Sequence, residues 1–302
     1  MAFDLETVRK EFPILTRQVD GKPLVYLDSG NTSQKPRKVI EAMSEFLETS
    51  YAPINRSSYR LAGEATEAYE GARRAVARMI NAPSADEVVF TKNATESMNL
   101  IAQAWGRANL RDGDAVLLTA MEHHANIVPW QMLARERDIE IRWVPLTPDG
   151  RLDLDKLASA LRDDTQLVSV MHVNNETGII QDIAGIGALC RERGILYHVD
   201  AAQSCGKLPI HLDELPVDLM SMTAHKFYGP KGIGALYITD RAGVHVDPQL
   251  FGGGQQRRLR PGTLPTQQIV GFGATAAIAA RCMAQDLEHL RALRDRLWSG
   301  IR

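Results

Sequence analysis

Short apolar runs alternate with segments of helical periodicity through most of the chain. Residues 87–91 read as a strand, and 94–105 as the helix after it, with Asn93 and Glu96 spaced like a capping box. Residues 114–119 form the next strand and 127–137 the next helix. A strand at 139–145 leads through the turn Pro148-Asp149-Gly150 to a helix at 154–162. A strand at 166–173 precedes a helix at 183–193, which Gly194 closes as a C-cap. Two further apolar runs, 195–199 and 217–222, read as buried strands, and 232–238 as a hairpin-like return. Strands separated by helices predict an α/β fold with a mainly parallel sheet covered on both faces. The Gly- and Arg-rich stretch 251–262 reads as a loop. From Gln267 the pattern is nearly continuous helix, weakened at its start by Gly271 and Gly273. It has no clear stop signal beyond Gly300, which suggests a continuation that this chain lacks.

The pattern narrows the search for chemistry. Parallel sheets bind ligands beyond the C-terminal ends of their strands. Asn93, His123, Asn175, Asp200 and Lys226 all fall at or just after such ends. Lys226 lies past one buried strand and Asp200 ends another. A lysine there can carry an aldehyde cofactor as a Schiff base, and an aspartate can hold the pyridine nitrogen protonated. Pyridoxal 5'-phosphate fits that pair.

The other candidates are weaker when taken singly. Ala94 and Thr95 open a helix whose N-terminus could hold a phosphate, although an ordinary helix cap has the same sequence. His123, in Met121-Glu122-His123-His124, could stack on a ring and move protons, or simply cap the next helix. The His-His pair has no third ligand at metal spacing. Asn175 and Gln203 could contact a ring oxygen, or serve in a turn and a cap.

Composition excludes more than it suggests. The chain has 302 residues, 44% hydrophobic and 24% charged, with a formal net charge of -2. That balance gives no electrostatic case for nucleic acid or a membrane surface. No apolar stretch is long enough to span a bilayer, and Met1-Ala2-Phe3-Asp4 does not open a secretory signal, so a cytoplasmic location is expected. The three cysteines, Cys190, Cys205 and Cys282, are too far apart for a disulfide framework or a zinc site.

Several motifs together resemble the cysteine desulfurases of the class V aminotransferase family, in the pyridoxal-phosphate fold-type I group. They are Ala94-Thr95-Glu96-Ser97, Glu122-His123-His124-Ala125-Asn126, His172-Val173-Asn174-Asn175-Glu176, His198-Val199-Asp200-Ala201-Ala202-Gln203, His225-Lys226-Phe227-Tyr228-Gly229-Pro230 and Arg260-Pro261-Gly262-Thr263. Up to about residue 133 the chain is more similar to the SUF-system enzymes. From about residue 171 it is more similar to the ISC/NifS type. Asp28-Ser29-Gly30-Asn31-Thr32 departs from an alanine-rich loop, and Asn55-Arg56-Ser57-Ser58-Tyr59 keeps an arginine without its usual histidines.

The resemblance implies an N-terminal segment at 1–20, a large cofactor-binding domain at 21–265, and the start of an interdomain helix at 266–302 with the small C-terminal domain largely absent. It implies that Lys226 binds the cofactor covalently, Asp200 pairs with the pyridine nitrogen, and Gln203 and Asn175 contact the ring oxygen. His123 would stack on the ring and transfer protons. Ala94, Thr95, Thr223 and His225 would hold the phosphate, and Thr263 would reach the phosphate of a partner subunit in a homodimer. The expected reaction converts L-cysteine to L-alanine, with the sulfur held as a persulfide and passed to an acceptor or scaffold protein for iron–sulfur cluster assembly. The family's sulfur-accepting cysteine lies on a loop beyond residue 302, so activity is expected to be impaired in this chain. Cys190 and Cys282 read as packing residues, and Cys205 as a poor substitute nucleophile. The alternatives are a selenocysteine lyase, a β-eliminating lyase, or a non-catalytic dimerising scaffold.

Overall fold

The computed structural model describes residues 4–241, 244 and 246–302. Met1, Ala2 and Phe3, which carry part of the reading against a secretory signal and open the 1–20 segment, lie outside the described residues.

Seven strands form one sheet: β1 (Val88–Thr91), β2 (Ala115–Thr119), β3 (Glu140–Val144), β4 (Thr165–Met171), β5 (Leu196–Asp200), β6 (Leu219–Thr223) and β7 (Gly234–Ile238). Their order is β1-β7-β6-β5-β4-β2-β3. Pairing is parallel from β3 to β6, and β7 is antiparallel to both neighbours. Two reversals cancel, so β1 points the same way as β6. The ends of β1, β2, β4, β5 and β6 therefore open on one edge, as the pattern predicts.

Both faces of the sheet are covered. On one side α1 (Arg37–Thr49) and α2 (Arg60–Met79) pack with the long helix that closes the chain. Tyr69, Val76, Phe90, Val170, Tyr197, Met220 and Phe272 meet in that core. On the other side α3 (Ala94–Leu100) and α4 (Val128–Glu136) cover Val89, Val116, Leu118 and Leu167 with Ile101, Trp130 and Leu133. Each such fully buried side chain contributes about 1.5–3 kcal/mol. Apart from the edge strand β3, where Glu140 and Trp143 are exposed, the strands are buried on both faces and show no polar alternation. β6, for example, is buried at every position.

The differences from expectation are local. The helix after β1 is not uniform. α3 gives way to a π-helical segment, Ile101–Gly106, where Gly106 lies against Trp130 and Leu133 of α4. The capping box is half formed. Asn93 Oδ1 accepts from Glu96 N at 2.9 Å, but the Glu96 carboxylate turns back to Lys92 N rather than Asn93 N. α5 (Leu154–Ala160) and α6 (Ile183–Glu192) end one or two residues early, and Gly194 takes φ +68° as the C-cap requires. The final helix, α7, spans Thr266–Ile301. Gly271 and Gly273 lie inside it because they are contact points. A Cβ on Gly273 would stand 2.6 Å from Ala72 Cα on α2.

Candidate active site at the strand ends

β5 and β6 set the centre of the site. Asp200 closes β5 and is 5% exposed, with Oδ1 accepting from Ala202 N at 2.8 Å. β6 ends at Thr223 and passes into a 3-10 turn, Ala224–Lys226. That turn folds tightly on itself. Phe227 N and Gly229 N both donate to Ala224 O, and a Cβ on Gly229 would stand 2.7 Å from Ala224 Cβ. The motif's glycine is thus a close-approach residue that fixes where Lys226 leaves the strand.

Burial pushes the Asp200 carboxyl up, opposed by the Ala202 N–H and the charges of Lys226 and His123. Burial likewise lowers the Lys226 ammonium, and Asp200 pulls it back. Each charge partly offsets the burial of the other, and burial remains the larger effect on both.

A cavity of about 260 Å³ opens at this edge, lined by Asn93, Ala94, Thr95, His123, Asn175, Asp200, Gln203, Thr223, His225 and Lys226 among others. Nine of the ten residues expected at the cofactor from the sequence are in that lining. Thr263 is the exception, being exposed on the loop before α7. A larger hollow of about 350 Å³ lies beside Glu87, Ile238, Asp240 and Arg257. Among the described residues its lining has neither a lysine nor a histidine, so volume alone does not locate the chemistry.

The end of the cavity beside the start of α3 is built from backbone and hydroxyl donors. Asn93 caps α3 and takes up the Glu96 N–H, while Ala94 and Thr95 N–H come too early in the helix for an intrahelical acceptor. Thr223 Oγ1 is buried at the same cavity and has no hydrogen-bond partner among the described residues. A buried hydroxyl left unpaired is costly, and an anion here would satisfy it. Gly234 of β7 lets the helix start come this close. A Cβ there would meet Met222 O at 2.5 Å and Asn93 Cα at 2.9 Å. His225 also faces the cavity. Burial and four lysines (Lys226, Lys35, Lys231 and Lys207) hold its imidazole down to about 4. The donor set, the orphaned hydroxyl and the carboxylate–lysine pair fit pyridoxal phosphate.

The remaining contacts orient side chains. His123 Nδ1 accepts from Ala125 N at 3.1 Å, so the neutral ring carries its proton on Nε2. Gln203 Nε2 donates to Gly30 O at 2.9 Å, and Gln203 Oε1 accepts from Lys207 Nζ at 3.1 Å. Asn175 Nδ2 donates to Glu176 at 2.6 Å.

Several contributors escape sequence reasoning. The divergent loop before α1 is stitched to the lysine turn. Ser33 N and Oγ both donate to His225 O, at 2.9 and 3.0 Å, and Thr32 Oγ1 meets His225 Nδ1 at 3.1 Å. Asn31 lines the cavity. Short polar residues such as these read only as turn formers until the tertiary contact is known. Glu122 is 7% exposed, and burial pushes its carboxyl up to about 8. It was visible only as a neighbour of His123.

Among the described residues no group of three or more His, Cys, Asp or Glu side chains is placed to hold a metal, and no helix is long and apolar enough to cross a membrane. Cys190 and Cys205 are buried, and burial pushes both thiols up to about 12. Cys282 on α7 is partly exposed.

Comparison with known proteins gives a consistent result. The family model for aminotransferase class-V matches residues 25–302. A cysteine desulfurase IscS from Cronobacter sakazakii is 47% identical over 281 residues, covering 92% of this chain and 69% of the relative. Among solved structures, the apo cysteine desulfurase from Thermococcus onnurineus superposes with a TM-score of 0.91 at 30% identity, over 100% of this chain and 77% of the other. SspA in complex with cysteine superposes with a TM-score of 0.78 at 34% identity, over 84% of this chain and 72% of the other.

Proposed function

The chain belongs to the aminotransferase class-V family, and on that premise we propose that it is a pyridoxal-phosphate-dependent cysteine desulfurase, taking sulfur from L-cysteine for iron–sulfur cluster assembly and releasing L-alanine. The observation that carries this reading is the Asp200–Lys226 pair at the ends of adjacent strands, with an orphaned hydroxyl, Thr223 Oγ1, in the same cavity. The similarity to cysteine desulfurases over 92% of the chain supports the choice of substrate.

Bound pyridoxal phosphate would supply an electron sink that weakens bonds at the substrate α-carbon. The rest is work for the chain. Asp200, buried beside Lys226, would pair with the ring nitrogen and keep it protonated. Lys226, its ammonium weakened by burial, presents Nζ as the attachment point and as the base for the α-proton. His123 would stack on the ring and pass a proton through Nε2. Ala94 N, Thr95 N, Thr223 Oγ1 and His225 would hold the phosphate. Gln203 and Asn175 would orient the ring oxygen.

Thr263, exposed and away from its own cavity, reaches the phosphate of a second copy, so the working unit is a homodimer. Residues 21–265 form the cofactor-binding unit. The sulfur passes to a thiol other than Cys190 and Cys205, whose burial suppresses the thiolate, and then to an acceptor protein in the cytoplasm.

Borohydride reduction of protein loaded with pyridoxal phosphate, followed by peptide mapping, tests the reading. A pyridoxyl group on Lys226 is expected, together with alanine released from L-cysteine. An unmodified Lys226 defeats the cofactor assignment. A modified Lys226 without alanine would favour a scaffold.

A further inference from the structure

In the turn that carries His123 only His123 and His124 are exposed; Met121 and Ala125 are half-buried, whereas Glu122 is 7% and Asn126 1% exposed. These two side chains point into the sheet and bond to each other, Asn126 Nδ2 donating to Glu122 Oε2 at 2.8 Å. Glu122 Oε1 also accepts from Thr119 Oγ1, the last residue of β2, at 2.6 Å. Asn126 Oδ1 accepts from Ser169 Oγ on β4 at 2.6 Å. Ser169 Oγ lies 2.6 Å from His198 Nδ1 on β5, and His198 Nε2 lies 2.8 Å from Ser221 Oγ on β6. His198 and Asp200 are two apart on one strand, as are Ser221 and Thr223 on the next, so each pair shares a face.

The chain of bonds has a single direction. Ser169 has one hydroxyl proton, which goes to Asn126. His198 Nδ1 must therefore donate to Ser169, and in a neutral ring Nε2 accepts from Ser221. Burial holds the His198 imidazole down to about 3, which keeps the ring neutral. Every member is satisfied, and the bonds run from β6 across β5 and β4 to the His123 turn.

We propose that Glu122, Asn126, Ser169 and His198 form a hydrogen-bonded strut that sets His123 over the cavity at a fixed position relative to Asp200, with Glu122 and Asn126 as positioning residues for the reaction. The strut adds to the turn's other ties, the bond from Asn174 Nδ2 to Met121 O at 3.0 Å and the packing of Ala125 on Ala94, Met98 and Ala202, and among the described residues it alone bonds the two sides of His123 to the sheet interior. Without it the imidazole rides on a surface loop, while Asp200 stays fixed in the sheet. This inference rests on the proposed roles of His123 and Asp200.

The test compares Glu122→Ala, Asn126→Ala and Ser169→Ala with Glu122→Gln, which can keep bonds to both Thr119 and Asn126. The first readout is the His123 imidazole signal in histidine-labelled protein free of pyridoxal phosphate. The second is the visible circular dichroism of the loaded protein, and the third is the split between kcat and KM for alanine formation. The three alanine variants are expected to shift and broaden the His123 signal, weaken the dichroic band, and lower kcat about tenfold or more while KM changes little. Glu122→Gln restores the His123 signal and the band. If Asn126→Ala does not fold, Ser169→Ala carries the comparison, because it removes one link while leaving the turn intact. Variants that fold with reduced stability but an unchanged His123 signal and dichroic band make the network a plain structural tie and overturn the proposal. A parent protein with no pyridoxyl Lys226 would instead overturn the functional reading, and the signal in the cofactor-free protein separates the two failures.

Discussion

Gly234 and Asn93 approach so closely that a methyl group on the first would stand 2.9 Å from Cα of the second. One lies on β7, the other caps the helix whose first N–H groups face the cavity. Gly234→Ala is therefore expected to push that helix start away, at a cost of about 1–3 kcal/mol in stability. Affinity for pyridoxal phosphate should fall as well, followed by absorbance titration. A stable variant with unchanged cofactor affinity would disprove the proposed phosphate site.

Asp200→Asn separates stability from function. Asparagine keeps the Oδ1 acceptor for Ala202 N and removes a carboxyl that burial pushes up. Cofactor-free protein should unfold at equal or higher urea. Alanine formation should drop by about 10²-fold or more, because a neutral amide does not hold the ring nitrogen protonated. Retained turnover would remove Asp200 from the mechanism.

The buried carboxyl of Glu122 gives a pH dependence of stability with a definite sign. Its folded value of about 8 lies above the ordinary 4.5. Its contribution is fully present below pH 4.5 and is lost as pH rises through 8. His198, His172 and His225, held down to about 3, 4 and 4, act oppositely and are lost as pH falls below 6.5. Lys35 and Lys207, lowered to about 8, add stability that appears only above that pH. Subtracting parent from Glu122→Gln isolates the carboxyl. The variant's advantage in urea midpoint should grow from pH 4.5 to 8 and then level off. A flat difference would show that Glu122 titrates normally.

Thiol chemistry should single out one cysteine. Brief alkylation of the folded protein at neutral pH is expected to label Cys282 and spare Cys190 and Cys205, whose thiols burial pushes up to about 12. Peptide mass spectrometry reads the result. Rapid labelling of Cys205 would reopen it as a sulfur acceptor.

The sequence revealed those features that local chemistry controls. Asp200 and Lys226 stood out because an isolated charge at the end of an apolar run has few structural uses. The sheet's working edge followed from strand and helix alternation alone. What was missed depends on contacts between distant segments. Ser33 carries no motif, yet it bonds to His225 across 192 positions. Ser169 lies unremarked in the 166–173 strand, and His198 enters only as part of the His198-Val199-Asp200 motif. Their use emerges only when the register places them opposite each other. The π-helical segment after Leu100 was likewise hidden, because nothing in a helix-forming sequence announces a change of hydrogen-bond spacing.

The pairing of β1 with β7 has a consequence for when the site can exist. Val88 finds its partner in Tyr237, 149 positions later. At roughly 5–20 residues per second, a ribosome needs about 7–30 s to deliver that partner. Until then the strand leading to Asn93 has no strand partner, and Lys226 has only just been made. A partial chain ending before β7 lacks the strand that joins β1 to β6, so the start of α3 and the lysine turn share one sheet only once β7 is made, and cofactor capture is expected to follow that point.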